Sequence, residues 1–264
     1  MMRKLMILVV SALLVILAAC GSKETAKTNQ AKGEDLGLIK EGTLSFAMSG
    51  QYPPLNFKKD DKLTGFDVEI GNEIAKRIGV KANPVTNQWE TIIQGLKAKK
   101  YDAIIGSMTA TPERDKQVDF TNPYYLSGAQ IFVAENNSTI TSKDDLKGKT
   151  IGVIQASTWK DMALELSDQV KGYPSDVNAL QDLAIGRLDA VITDKIVGLN
   201  AKNEKGLKIK PIGNLLNEDR VSVAVAEGNK ELADKINKAI DDMQKDGTYE
   251  KISKKWFNEN LLEK

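Results

Sequence analysis

The chain of 264 residues carries 37 lysines and arginines against 36 aspartates and glutamates, one cysteine and no histidine. Charges that nearly cancel offer no basic face for nucleic acid by count alone. One cysteine without histidine excludes disulfides, histidine-based metal sites and every nucleophile–histidine catalytic pair. Carboxylate, lysine or tyrosine chemistry survives that exclusion, and no cofactor or metal is expected.

The first residues read as an export address. Arg3 and Lys4 precede an uncharged run from Leu5 to Ala19, with small residues just before Cys20, which is the layout of a secretory signal. The run is short for a membrane span, which needs about 20 apolar residues, and it turns polar at once after Gly21. Leu17-Ala18-Ala19-Cys20 resembles a bacterial lipobox. The resemblance implies cleavage after Ala19, a lipid on Cys20, and a protein anchored on the extracytoplasmic face of the bacterial cell membrane. The alternative is an ordinary signal peptide that leaves a free cysteine. From Lys23 to about Gly37 the chain is polar and lacks aromatic residues, as a flexible tether would be.

Folded structure is expected from Thr43. An apolar strand over Thr43 to Met48 leads into the proline-containing loop Gln51-Tyr52-Pro53-Pro54. Phe66, Val68, Ile70, Ile74 and Ile78 recur at helical spacing before Gly79, and Trp89, Ile92, Ile93 and Leu96 mark a second helix before the run Tyr101 to Ile105. Alternation continues with a strand over Thr150 to Gln155, a helix after Ser157, a helix from about Val177 to Ile185 and a strand over Ala190 to Thr193. Lys230 to Asp246 and a segment with Tyr249, Ile252 and Trp256 supply two final helices. The fold class is α/β, with no internal repeat.

Three strand-to-helix junctions hold candidate ligand-binding residues. In Ser107-Met108-Thr109-Ala110-Thr111-Pro112-Glu113-Arg114, Thr111 suits a helix cap with Pro112 at the first position. Arg114 then projects from the first turn beside two hydroxyls, a good receptor for a carboxylate because its planar fork makes two parallel bonds. A solvated arginine on a capped helix explains the same spacing. Ser157 and Thr158 offer hydroxyls at the second junction, or cap the helix. Asp194 closes the third, as an acceptor for an ammonium or as a cap. Tyr52 and Trp89 can flank the apolar part of a ligand, although Trp89 also falls in register with core residues.

In this order the segments resemble the solute-binding proteins of polar amino-acid ABC transporters, the group often called family 3. The resemblance runs from about Gly42 to Phe257. It is carried by Tyr52-Pro53-Pro54 with Gly65-Phe66-Asp67-Val68-Glu69, Asp102 to Arg114, Asp119-Phe120-Thr121 with Pro123-Tyr124, Gly148 to Val153, and Gly186-Arg187-Leu188-Asp189-Ala190 with Asp194. It implies a two-lobed Venus-flytrap fold of the type II periplasmic-binding-protein kind with two crossover strands. Beyond a signal peptide at 1–19 and a lipidated cysteine with tether at 20–37, lobe 1 takes 38–126 and 225–264 and lobe 2 takes 130–220. The hinge falls at 126–130 and 220–225.

The resemblance further implies that Arg114, helped by Ser107, Thr109 and Thr158, holds an α-carboxylate, that Asp194 holds the α-ammonium, and that Tyr52 and Trp89 flank the side chain. Some binders of lysine and arginine carry an acid three residues before Tyr52. Ser49 stands there instead, which favours an uncharged polar L-amino acid or cystine, delivered to an ABC permease with its ATPase for uptake. A monomer without enzymatic activity or nucleic-acid partner is expected. The competing expectations are a dehydratase-like enzyme on the same fold, with Glu90 as its local acid, and a receptor that presents ligand to a signalling partner.

Overall fold

Strand β1 (Thr43–Met48) shows how the body is layered. Phe46 and Met48 enter one apolar cluster and Ala47 another, the period of two along a strand, so the sheet must be covered on both faces. The computed structural model describes residues 36–263; the leader, Cys20 and the tether as far as residue 35 lie outside the described residues.

After β1 come three short antiparallel strands, β2 (Gln51–Tyr52), β3 (Asn56–Lys59) and β4 (Lys62–Thr64). Helix α1 (Phe66–Arg77) buries Phe66, Val68, Ile70 and Ile74, the face predicted from their spacing. A Cβ on its Gly71 would stand 2.4 Å from the Phe46 ring, so the helix lies closer to the sheet than any other residue there would allow. The chain continues through β5 (Lys81–Thr86), a 3-10 turn at Trp89–Thr91, α2 (Ile92–Lys97), β6 (Ala103–Thr109), α3 (Pro112–Asp115) and β7 (Val118–Ser127).

It then enters a second sheet as β8 (Ala129–Ala134), followed by β9 (Ile151–Ile154), α4 (Trp159–Leu166), β10 (Val170–Tyr173), α5 (Asp176–Ala184), β11 (Ala190–Asp194), α6 (Lys195–Asn203) and β12 (Ile209–Ile212). Strand β13 (Asp219–Ala226) returns to the first sheet, and α7 (Lys230–Lys245) and α8 (Thr248–Phe257) pack there.

The sheet orders are β5-β1-β6-β13-β7 and β10-β9-β11-β8-β12. Each sheet has three parallel strands, then one strand antiparallel to them that arrives by a crossover from the other lobe: β13 in the first, β8 in the second. This is a two-lobed α/β body of the type II kind. The crossovers are laced together. Asn217 Oδ1 accepts the Ala129 N–H at 2.9 Å, the Ala129 carbonyl accepts the Leu216 N–H at 2.8 Å, and a Cβ on Gly128 would come within 2.3 Å of the Asn217 carbonyl oxygen.

Two boundaries differ from the sequence expectation. The interval 220–225, read as hinge, lies within β13, which sits between β6 and β7. Its residues Val221 to Val225 are buried on both faces, so no polar break marks where the crossover ends. Ordered packing also begins before Thr43. The Leu36 carbonyl accepts from Asn229 Nδ2 at 3.2 Å and the Ile39 N–H donates to Asp102 Oδ1 at 2.7 Å. Among the described residues, no helix is long and apolar enough to cross a membrane.

Candidate functional site

The carboxyl end of β6 holds an unusual backbone. Ser107 has φ 63°, the left-handed region, which costs a residue other than glycine about 1–3 kcal/mol. A buried network holds it there. The Ser107 N–H donates to Tyr124 Oη at 3.0 Å, Tyr124 Oη donates to Asp67 Oδ1 at 2.8 Å, and Ser107 Oγ donates to Asp67 Oδ2 at 2.7 Å. Asn56 Nδ2 completes the set at 2.6 Å. Burial pushes the Asp67 carboxyl up, and the three side-chain bonds oppose that shift. The Ser107 hydroxyl proton is thereby committed to Asp67, and its oxygen can still accept a bond.

Four residues on from Ser107, the predicted cap is present: Thr111 Oγ1 accepts the Arg114 N–H at 3.3 Å, with Pro112 opening α3. Arg114 is not a freely solvated side chain. Its Nη1 donates to the Thr109 carbonyl at 2.8 Å and its guanidinium lies 5.5 Å from the Trp89 ring centre. Burial lowers its pKa, and the charge of Asp219 opposes that. One of five guanidinium donors is used by Thr109; the fork keeps capacity for a carboxylate.

Arg114 faces a cavity between the lobes. Lobe 1 contributes Tyr52, Trp89, Ser107 and Thr109 beside it, and lobe 2 contributes Ser157, Thr158 and Trp159. Seven of the eight residues proposed as ligand-binding from the sequence therefore share one cavity wall. Ser157 Oγ donates to the Ile154 carbonyl at 2.9 Å, and Thr158 stands at the N-terminus of α4 without a side-chain capping bond, so neither hydroxyl serves as the helix cap.

Asp194 is the eighth and does not line the cavity. Its Oδ1 accepts the Ile196 N–H at 2.7 Å and Ser127 Oγ at 2.8 Å, because it ends β11 and caps α6 at once. It is buried, and burial raises its pKa to about 7, helped by the charges of Asp219 and Asp176. Its charge reaches the site: burial raises the Tyr52 pKa most, and Asp194 is the largest of the charges acting with it.

The sequence reading missed Asp176, which lines the cavity at the start of α5 with 3% of its surface exposed. Thr193 Oγ1 donates to it, and burial raises its pKa to about 7. The signal was a fourth use of the same strand-to-helix arrangement, hidden because β10 reads Val-Lys-Gly-Tyr and lacks an apolar run. Trp159 was also missed; its Nε1 donates to Asp219 Oδ2 at 3.2 Å, from lobe 2 to the start of β13. Glu90, the local acid considered for an enzyme, borders an adjoining recess that shares Ser49, Gln51, Trp89 and Pro174 with this cavity, and does not itself line the cavity. Among the described residues, no cluster of acids or cysteine suits a metal ion.

A single cation on one wall and an acid on the other suit a small ligand that carries both charges. The family model for bacterial extracellular solute-binding proteins, family 3, matches residues 44–259. The L-cystine-binding protein TcyJ of Escherichia coli K12 is 36% identical over 231 residues, which cover 86% of this chain and 87% of that protein. An ancestral arginine-binding protein solved with glutamine superposes with a TM-score of 0.78 at 41% identity, over 83% of this chain and 100% of the other. An ancestral amino acid-binding protein that is a precursor of cyclohexadienyl dehydratase gives 0.76 at 33% identity, over 82% and 96%. With a matched span that takes in both lobes and every residue of the cavity wall, the chain belongs to the bacterial extracellular solute-binding proteins of family 3.

Proposed function

We propose that the protein captures a polar L-amino acid outside the cytoplasm and delivers it to an ABC permease with its ATPase. The observation that carries this reading is Arg114, placed over the Trp89 ring in lobe 1 and sharing one cavity with Thr158 of lobe 2. An α-carboxylate on Arg114 and an α-ammonium drawn toward Asp194 would be bound by both lobes together. Such a ligand interacts more strongly with the closed state than with the open one, and only that difference shifts the equilibrium. Ser49 on the cavity wall and the likeness to TcyJ favour cystine or an uncharged side chain. Thermal-shift titration of the purified protein with common L-amino acids and L-cystine tests this. A binder raises the melting temperature by mass action and Arg114→Ala removes the shift; no shift with any of them overturns the reading.

The working form in this reading is a monomer held to the membrane by a lipid on Cys20, near its permease, which raises the effective concentration of the loaded receptor. Replacing Cys20 with serine should move the protein out of the membrane fraction and leave ligand binding unchanged.

A dehydratase-like enzyme is the second reading, favoured by Asp176, a cavity-wall carboxyl with a pKa of about 7 that suits proton transfer. Chemical conversion of the bound compound, followed by mass spectrometry, would select it.

A further inference from the structure

Among the described residues lining the cavity, Arg114 is the one cation and Asp176 the one acid. Asp176 is buried, and its side chain has a hydroxyl partner in Thr193. Among the described residues it joins no ion pair. The two other acids nearby do not line the cavity. Asp194 holds the Ile196 N–H and Ser127, and Asp219 accepts from Trp159 Nε1 at 3.2 Å and Asn217 Nδ2 at 3.0 Å.

Charge bookkeeping then discriminates between ligands. In the pose proposed above, a monoamino monocarboxylic acid sets its carboxylate on Arg114 and its ammonium toward Asp194, whose charge reaches the cavity wall at Tyr52, which leaves Asp176 desolvated beside whatever side chain fills the cavity. A carboxylate in that position is costly unless a cation arrives. The acid absent at Ser49 on the lobe 1 wall is thus supplied at Asp176 on the lobe 2 wall, and Tyr52, Pro174 and Trp159 line the space beside it with rings.

We infer that Asp176 determines specificity by receiving a second cationic group of the ligand, so that the cavity prefers an α-amino acid with a second protonated amine or a guanidinium over one with an uncharged side chain. The inference rests on the amino-acid reading above and departs from it in one respect, placing cationic side chains above uncharged ones. Cystine, whose far half carries its own ammonium, satisfies it, and so do lysine and arginine; glutamine does not.

Isothermal titration of the full chain with L-cystine, L-arginine, L-lysine and L-glutamine, on the wild type and on Asp176→Asn and Asp194→Asn, tests it. The wild type should bind at least one of the first three about tenfold or more tighter than glutamine. Asp176→Asn should lose about thirtyfold for that ligand, the scale of a truncated buried charge pair, and less than threefold for glutamine. Asp194→Asn should weaken all binders alike. Which of cystine, arginine and lysine wins identifies whether the second cation sits on an amino-acid head group or on a side-chain end.

Equal losses for glutamine and the dicationic ligand in Asp176→Asn would assign Asp176 to the α-ammonium and overturn the inference, as would a wild type that prefers glutamine. Binding of no amino acid at all would instead overturn the parent reading. A second measurement needs no variant. The titratable and charged groups that act on Asp176 or share its cavity are Tyr52 on β2, Asp194 ending β11 and Arg114 on α3. Titration of the wild type at pH 7 in buffers of different ionisation enthalpy should show about half a proton more released with the dicationic ligand than with glutamine. Equal release overturns the inference.

Discussion

Trp89 Nε1 donates to the Ala156 carbonyl at 3.1 Å, a direct bond from lobe 1 to lobe 2. The same indole carries the Arg114 guanidinium 5.5 Å from its ring centre, so one side chain both positions the cation and ties the lobes. Trp89→Phe keeps the ring and removes the donor. A net hydrogen bond contributes about 1 kcal/mol, so ligand affinity should fall about fivefold by calorimetry. An unchanged affinity would mean that the bond contributes nothing to closure.

Arg114→Lys tests the fork itself. Lysine keeps the charge but loses the planar pair of donors and the stacked face. Binding should weaken by about 2 kcal/mol or more, as for a truncated partner in a buried charge pair, with the melting temperature of the ligand-free protein little changed. If Arg114→Lys binds like the wild type, the guanidinium geometry is irrelevant.

Asp67→Ala should be among the most destabilising single changes. It strands Asn56, Tyr124 and Ser107, whose donors all end on one buried carboxyl, and each stranded buried group costs about 1–3 kcal/mol. It also releases Ser107 from φ 63°. Urea unfolding should show a loss of about 3 kcal/mol or more, and ligand affinity should fall although Asp67 does not line the cavity.

Stability should respond to pH through Asp176 and Asp194, both raised to about 7 by burial. Their folded values exceed the unfolded carboxylate value of about 4, so the folded state retains protons that the unfolded chain releases. The contribution is complete below about pH 4 and is lost as pH rises through about 7. Melting of the ligand-free protein should therefore fall between about pH 4 and pH 7 and level off above, with a shallower slope in Asp176→Asn. Ligand binding through these carboxylates should strengthen over the same interval. A flat melting profile in the wild type would contradict the assignment.

Gly128→Val addresses the hinge. A Cβ at Gly128 would stand 2.3 Å from the Asn217 carbonyl oxygen, a backbone atom that cannot rotate away. Separating the crossovers should cost about 1–3 kcal/mol, as overpacking does, and should alter the small-angle scattering difference between ligand-free and ligand-bound protein. An identical difference would show that the hinge tolerates the methyl groups.

The sequence made legible whatever depends on local pattern. Helix α1 follows from Phe66, Val68, Ile70 and Ile74, and the cap at Thr111 with Pro112 follows from backbone chemistry within four residues. Four strands were not legible, although the short, doubly buried β9 and β11 were. The polar strands β3 and β4, β10 with its glycine, and β13 with Val221 to Val225 buried on both faces lack the alternation that sequence reading uses.

By itself, then, the sequence determined an α/β class, the family likeness and which side chains had suitable chemistry at strand ends. It also set the ordinary alternatives beside them, since Arg114 could as well have been solvated and Asp194 a cap. The tertiary structure decided the first of those alternatives, since Arg114 lies against Trp89 at the cavity, and it showed that Asp194 caps α6 whatever else it holds. It also brought Asp176 to the cavity opposite Arg114. The physical reason is distance along the chain. Residues 62 positions apart meet only because β8 and β13 cross between two sheets, and whether a carboxylate is buried without a cation depends on every element packed around it, not on its neighbours in sequence.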